Sequence, residues 1–165
     1  MDEEQSLDIK GLCTRHLQFA WWSLLCFVIL GMTLEALHAF KISWYLGQPS
    51  ETRRLLWTLA HAHGTLLSLV HVAFAFTYFT FPTQVTRRLR LASALLMAAS
   101  VLLPGGFFLG GISIFDGDPG LGVWLVPLGA VCLFLAVFLT ATDLVRGNRS
   151  PTREERPRRT QMSRR

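Results

Sequence analysis

Few residues of this chain carry charge, and few can form covalent cross-links. Charged side chains make up 16% of the 165 residues, against roughly 25% in an average soluble domain. The three cysteines, Cys13, Cys26 and Cys132, show no CxxC or CxxCH spacing, so neither a disulfide framework nor a zinc finger is indicated. Hydrophobic residues reach 51% with a mean hydropathy of +0.37, more than a soluble core of this length needs. The excess predicts burial in lipid.

Sequence motifs of catalysis are also absent. The sequence contains no HExxH metal motif and no EF-hand loop. It also contains no phosphate-binding loop and no dinucleotide fingerprint, because the glycine-rich stretch Gly105–Gly111 does not follow a predicted strand. Nucleophilic catalysis needs a nucleophile beside a base, and Cys26 and Cys132 fall in apolar segments where thiolates are disfavoured. The chain alone is therefore not expected to be an enzyme.

Four apolar blocks separated by short polar segments are what the sequence does contain. They cover residues 18–45, 55–81, 89–110 and 121–144. Each reaches the ~20 residues with which a helix crosses the hydrocarbon layer while satisfying its own backbone hydrogen bonds. The predicted fold is an all-α, four-helix transmembrane bundle over residues 18–145. The preceding residues 1–17 are predicted to be a cytoplasmic segment, because their acidic start does not resemble a cleaved signal peptide.

The distribution of basic residues predicts the orientation of the bundle. Thirteen of the 16 Lys and Arg side chains lie in the terminal segments and the middle loop, and the opposite side holds Lys41, Arg53 and Arg54. This bias predicts an inner-membrane protein with both termini in the cytoplasm. Eight of the basic residues follow Leu144, so residues 146–165 are predicted to be a disordered tail that attracts anionic lipids or only fixes the topology. A tail of this kind does not indicate nucleic-acid binding.

Turn-forming residues predict where the helices turn or bend. The short connection at residues 47–50, with Ser50 as helix N-cap, predicts a tight antiparallel hairpin between the first two helices. Pro104 and the two glycines after it predict a kink in the third helix or its end. Gly106 and Gly110 have the GxxxG spacing that lets membrane helices approach closely.

Ionisable side chains inside the first two predicted spans are the main functional signal, because a charged group at the centre of a bilayer costs roughly 3 kcal/mol. Counted from the middle of the predicted hairpin, Glu35, His38, His61 and His63 lie within about one helical turn of the same depth. Glu35 and His38 share one face of the first helix. His61 and His63 point about 200° apart, so His63 needs a second contact or a break of the helix at Gly64.

Further polar side chains lie on the second predicted span. A stripe at 3-4-3 spacing, which can face the first span, consists of Thr58, His61, Thr65 and Ser68. His71 lies deeper, level with Leu24, and is predicted to have no ionisable partner.

Three hypotheses account for the layer of glutamate and histidines. In the first, His38 and His61 bind haem b, or a transition metal together with Glu35 and His63, because facing helices of membrane bundles hold haem between imidazoles. In the second, these side chains and the aspartates of the last loop pass protons or cations. In the third, Glu35 bonds to His61 and fixes the register of two helices. The protein is then an accessory or scaffold subunit without a cofactor.

Two runs of residues in the first two spans resemble a known group. Glu-Ala-Leu-His-Ala-Phe-Lys at residues 35–41 and Leu-Ala-His-Ala-His-Gly-Thr-Leu-Leu at residues 59–67 are similar to small bacterial four-span membrane proteins of no known activity. The resemblance covers the spans and not the tails. It implies a bacterial protein in the lipid bilayer and no particular reaction. Whether such a protein forms a homo-oligomer or joins a larger membrane complex is left open.

Overall fold

The computed structural model describes residues 3–47, 50–81 and 84–147, which are predominantly helical. The long helices are α1 (Glu3–Ala39), α3 (Glu51–Thr80), α4 (Arg87–Ile112) and α5 (Leu125–Gly147), with a short α2 (Ser43–Leu46) and a 3₁₀ helix (Leu121–Trp124) before α5. An antiparallel pair of two-residue strands, β1 (Ile114–Phe115) and β2 (Asp118–Pro119), follows α4. Residues 148–165, which hold almost all of the predicted basic tail, lie outside the described residues.

Within the described residues, four helical segments are long and apolar enough to cross a membrane, as the sequence predicts. They are Ser6–Ala39, Glu51–Thr80, Arg87–Ile112 and Leu121–Arg146. Large apolar side chains cover their outer surface: Trp22 is 73% exposed, Phe79 70% and Phe134 68%. A surface of this kind is unfavourable in water and suited to lipid. The fold is therefore compatible with a multi-pass membrane protein.

Long helices that follow one another in sequence pack side by side. Helix α1 packs on α3, α3 on α4, and α4 on α5, and each pair is antiparallel. One end of the bundle, termed the basic end, carries the starts of α1 and α4 and the ends of α3 and α5. The other, termed the hairpin end, carries residues 40–47, 50 and 113–120. Buried residues near the basic end form a hydrophobic core that draws on all four long helices.

Helix α1 begins well before residue 18, where the first span was predicted to start. Its first turns are amphipathic, with buried side chains at helical spacing: Ile9, Leu12, Cys13, His16 and Ala20. Hydropathy averaged along the chain does not detect such a segment, because polar residues alternate with the apolar ones. Residues 3–17, predicted to precede the bundle, are therefore part of it.

The connection between α1 and α3 is wider than the predicted tight hairpin. Helix α1 ends at Ala39 instead of reaching residue 45. The cause is Lys41, whose positive φ of 50° is a conformation that commonly ends a helix. Ile42 is then extended, and α2 follows before α3 starts at Glu51. Among the described residues between the first two long helices, α2 therefore forms a separate helical turn.

Helix α4 continues through Pro104, so the proline does not break it. The helix ends at Ile112, where the β1–β2 pair begins. The predicted close approach at Gly106 and Gly110 is present: a Cβ on Gly106 would lie 2.9 Å from Val126 Cγ2, and one on Gly110 would lie 3.3 Å from the Val123 nitrogen. The two glycines therefore let α4 pack tightly against the last span.

Aromatic side chains close the hairpin end. The ring of Trp57 stacks on Phe108 with centroids 5.4 Å apart and lies 5.7 Å from Trp44. The Arg53 guanidinium lies 4.2 Å above the Trp44 ring, a distance typical of a cation–π contact. Ser50 lies at the predicted N-cap position but makes no capping bond. Its hydroxyl instead donates to the Trp44 carbonyl oxygen at 2.7 Å.

Candidate functional site

The predicted layer of Glu35, His38, His61 and His63 does not converge. Glu35 and His38 are exposed on α1. His61 is half-buried, and its Nδ1 lies 2.7 Å from the Phe27 carbonyl oxygen. The imidazole fills a notch at a glycine of α1, Gly31, where a Cβ would lie 2.8 Å from that same nitrogen. His61 thus fixes α1 against α3 through the backbone of α1 and not through Glu35.

The depth of the turn explains why Glu35 and His61 do not meet. Because α1 ends at Ala39 and α3 begins at Glu51, the middle of the connection lies near residue 45, closer to α1 than the sequence suggests. Each residue of α1 therefore lies opposite an α3 residue that is nearer the hairpin end than the sequence predicts. Glu35 lies more than one helical turn from the level of His61.

His63 makes the second contact that its orientation predicts. Its Nδ1 lies 2.9 Å from the Leu59 carbonyl oxygen of its own helix, and its ring centroid lies 5.0 Å from that of Phe107. Helix α3 is continuous at Gly64, so no local break turns His63 toward His61. Among residues 3–47, 50–81 and 84–147, no group of three or more His, Cys, Asp or Glu side chains could hold a metal ion.

The polar stripe on α3 contacts α1 at only part of its length. Ser68 is buried, and its Oγ lies 2.7 Å from that of Ser23 on α1. The Thr65 hydroxyl oxygen is buried and has no hydrogen-bond partner in the part of the chain that the structure describes. Thr58 is exposed on the outer surface. The stripe is therefore not a continuous polar path.

A pair of imidazoles lies nearer the basic end. His16 of α1 and His71 of α3 are both 0% exposed, and their Nδ1 atoms are 2.6 Å apart. The Phe74 ring packs 4.4 Å from His16 and the Phe19 ring 4.6 Å from His71, measured between centroids. His71 thus has an ionisable partner, contrary to the prediction, and apolar rings shield the pair.

Two serines of α4 extend this pair at both ends. His16 Nε2 lies 2.8 Å from Ser93 Oγ, and His71 Nε2 lies 2.9 Å from Ser100 Oγ. Arg15 Nη2 donates to Ser93 Oγ at 3.0 Å. These five side chains, in the order Arg15, Ser93, His16, His71 and Ser100, are termed the imidazole chain. They form one continuous hydrogen-bonded path that joins three helices.

One assignment of the protons satisfies every hydrogen bond of the imidazole chain. In this assignment Ser93 accepts from Arg15, which can only donate, and donates its own hydroxyl to His16 Nε2. At the other end Ser100 donates to a backbone carbonyl oxygen of α4 at 2.9 Å and accepts from His71 Nε2–H. His16 then carries its proton on Nδ1 and donates to His71 Nδ1. The reverse order, in which Ser100 donates to His71 and His16 donates to Ser93, fits the same atoms, because a serine hydroxyl accepts two hydrogen bonds and can rotate.

This assignment leaves both imidazoles neutral and fully hydrogen-bonded, as a site shielded from water requires. Each group between the two ends donates once and accepts once. A proton that reaches Ser93 can therefore displace the next one along the segment from Ser93 to Ser100, after which the bonds of this segment point the other way. The bond from Arg15 to Ser93 keeps its direction, because a guanidinium cannot accept. The arrangement can hold and move a proton within an apolar interior.

The ends of the imidazole chain reach two different cavities. Near the basic end Arg15 lines a cavity of about 250 Å³ together with Asp8 and Arg90, which form an ion pair at 3.7 Å. Ser100 lines a groove of about 540 Å³ between α1 and α4, termed the α1–α4 groove. Its walls include Phe19, Cys26 and Phe27 of α1 and Ser100, Gly105 and Phe108 of α4. The path thus joins a charged cavity to an apolar one.

A scan against protein-family models, a search of curated proteins and a search of solved structures each found no match for this chain.

Proposed function

We propose that this chain is a multi-pass integral membrane protein whose imidazole chain carries protons between the basic end and the α1–α4 groove. The observation that carries the proposal is the 2.6 Å contact between His16 and His71, continued without a gap to Arg15 and Ser100. Histidine is suited to this role because its imidazole accepts a proton on one nitrogen and releases one from the other. Positive-inside bias places the basic end in the cytoplasm.

The imidazole chain contains more polar groups than are needed to hold α1 and α3 in register. One interhelical hydrogen bond is enough to set the register of α1 and α3, and Ser23 with Ser68 provides it at 2.7 Å. The imidazole chain adds two ionisable side chains to a fully buried site, where such groups are costly and commonly functional. Their head-to-tail direction is the property that proton transfer requires.

The path ends inside the bundle, which favours proton delivery over passage across a membrane. Beyond Ser100 the walls of the α1–α4 groove are predominantly apolar. On α3, toward the hairpin end, Thr65 Oγ1 has no partner among the described residues, and His61 bonds to the Phe27 backbone. The proton donor or acceptor served by the path is therefore a molecule in the groove.

Ser93→Ala should slow exchange of the His71 Nε2 proton with solvent roughly tenfold, because alanine removes the hydroxyl through which a proton reaches His16. Loss of one such link is worth about 1–1.5 kcal/mol, which corresponds to a factor of about ten in rate. Solid-state NMR of protein with ¹⁵N-labelled histidine in lipid bilayers, transferred to D₂O, measures the exchange.

Thr77→Ala is the matched control for this measurement. Thr77 lies on α3, and its hydroxyl bonds only within that helix, to the Ala73 carbonyl oxygen at 2.8 Å. Its removal should leave the exchange rate unchanged. If Ser93→Ala also leaves the rate unchanged while the signals of His16 and His71 persist, the proton does not travel through the imidazole chain, and the proposal is wrong.

A haem or metal centre at Glu35, His38, His61 and His63 stays a prediction. One observation favours it: the Nδ1 atoms of His61 and His63 face backbone carbonyls, which leaves each Nε2 free to coordinate. We expect, on this hypothesis, a Soret band or stoichiometric metal in the purified protein that disappears in His38→Ala and His61→Ala. A colourless, metal-free wild-type protein would contradict this hypothesis, and a loss of stability in either variant would then assign the altered histidine a structural role.

A further inference from the structure

A small cavity at the basic end, termed the basic-end cavity, carries more positive than negative charge. Two guanidinium groups line it, those of Arg15 on α1 and Arg90 on α4, together with one carboxylate, that of Asp8. We infer that this cavity binds the phosphate of an anionic phospholipid headgroup. The inference goes beyond the proposed proton path and does not rest on it.

The two guanidinium groups have donors to spare for a ligand. Each carries five N–H groups. Arg15 donates from Nη2 to Ser93 Oγ at 3.0 Å, the single hydrogen bond that either side chain makes to the residues of the described ranges. The ion pair of Arg90 with Asp8, at 3.7 Å, is too long for a hydrogen bond. Phosphate oxygens accept strong, charge-assisted bonds from such planar groups, so the unused donors match a phosphate.

The size of the basic-end cavity limits what it can hold. Its volume of about 250 Å³ is below the roughly 300–1,000 Å³ of pockets that enclose a whole small molecule. Gly11 also lines it, and a Cβ there would meet nothing within 4 Å, so the space beside α1 is open. The cavity therefore suits one compact anionic group that belongs to a larger molecule outside it.

The level of the cavity along the bundle favours a lipid as the source of that group. From Arg90 to Ile112, helix α4 rises about 33 Å, close to the ~30 Å of the hydrocarbon layer. With Ile112 at one surface of that layer, Arg90 lies at the other, where lipid phosphates are. Leu7 and Leu91 are 63% and 51% exposed, so apolar surface suited to acyl chains begins beside the cavity on both helices.

Charge decides between the common phospholipids. The three charged side chains that line the cavity carry a net charge of +1. Phosphatidylglycerol, with a net negative headgroup, complements this charge, whereas phosphatidylcholine brings a quaternary ammonium group toward two arginines. The bias in basic residues predicts the cytoplasmic leaflet at this end, and anionic lipids give that leaflet its negative surface potential.

Binding of phosphatidylglycerol to the full chain in a neutral detergent, followed by native mass spectrometry, tests this inference. The lipid should bind saturably, and Arg90→Gln should weaken its binding roughly tenfold, the worth of about one charge-assisted hydrogen bond. Arg88→Gln is the matched control, because Arg88 does not line the cavity and points about 200° away from Arg90 on α4. It should change binding by less than about twofold. Both variants keep the basic residues after Leu144, so attraction by the tail is the same in each.

Asp8→Asn provides a readout that a loss of structure cannot imitate. The substitution removes the carboxylate that competes with phosphate for Arg90, so it should strengthen phosphatidylglycerol binding roughly two- to fivefold. Phosphatidylcholine and inorganic phosphate are the competitors. At equal concentration neither should displace phosphatidylglycerol, because the first has no net charge and the second has no acyl chains.

Three results would overturn the inference: equal binding by Arg90→Gln and Arg88→Gln, no gain in Asp8→Asn, or phosphatidylcholine that competes as well as phosphatidylglycerol. Inorganic phosphate that competes equally would show that free phosphate, and not a lipid, is the ligand. Each of these results can occur beside a slowed exchange in Ser93→Ala, so the lipid site and the proton path fail separately.

Discussion

Replacing His71 by leucine is expected to lower the free energy of unfolding by about 1–3 kcal/mol, although the two side chains have similar volumes. The substitution leaves His16 Nδ1 without a hydrogen-bond partner at a site that is 0% exposed, and an unpaired buried polar atom costs this much. Apart from His16 and Ser100, leucine meets apolar surface there, because the rings of Phe19 and Phe74 flank the pair. Unfolding by SDS in mixed micelles, followed by tryptophan fluorescence, measures the loss.

The double variant His16→Leu with His71→Leu is expected to recover most of that stability. Replacing both partners of a buried hydrogen bond by apolar groups removes the unpaired imidazole nitrogen and can be nearly neutral. The remaining cost is that of the buried Ser93 hydroxyl, which loses its bond to His16 Nε2. His38→Leu is the control, because His38 is exposed and should change the free energy of unfolding by no more than about 0.5 kcal/mol. If His71→Leu costs no more than this control, the 2.6 Å contact contributes nothing to stability.

The double variant also separates a structural role from a functional one. A stable bundle without either imidazole should no longer release or take up a proton at Ser100, because the two central carriers of the path are absent. A role limited to stability predicts instead that the double variant behaves like the wild type in every assay of the groove. Both roles therefore predict a folded double variant, and they differ in whether that variant still exchanges protons at Ser100.

The four spans are predictable from the sequence because the hydrocarbon layer imposes one strong condition, about 20 apolar residues in succession. The same condition explains why the start of α1 is not predicted. The first turns of α1 bury only one stripe of side chains, including Ile9, Leu12 and His16. The polar residues on the other faces keep the average hydropathy of this segment low. The end of α1 depends on the single positive φ of Lys41, for which the sequence gives no signal.

The candidate site is harder to predict, because contacts between helices depend on register. His71 is recognisable as an unusual residue in an apolar span, but the centre of the turn had to be assumed, and an error of a few residues moves each neighbour by more than a helical turn. His16 lies outside the span that hydropathy detects. Two signals could have identified the pair: the phase of His16 with Ile9 and Leu12, and the i, i+7 spacing of the α4 serines.

Gly64→Ala is expected to destabilise the bundle by about 2–3 kcal/mol, even though alanine favours helices by about 1 kcal/mol over glycine. A Cβ at this position would overlap the Phe27 ring of α1, so the two helices would have to separate. Gly11→Ala on α1 is the matched control, because nothing lies within 4 Å of a Cβ there. Thermal unfolding in detergent and SDS titration compare the two variants.

The same substitution should also disturb the imidazole chain, because Gly64 lies two helical turns from His71 on the same face of α3. A wider gap between α1 and α3 lengthens the 2.6 Å contact between His16 and His71. Adding Phe27→Leu to Gly64→Ala shortens the side chain that blocks the approach, and should restore both stability and proton exchange. If stability returns without proton exchange, the spacing of the helices is not what aligns the two imidazoles.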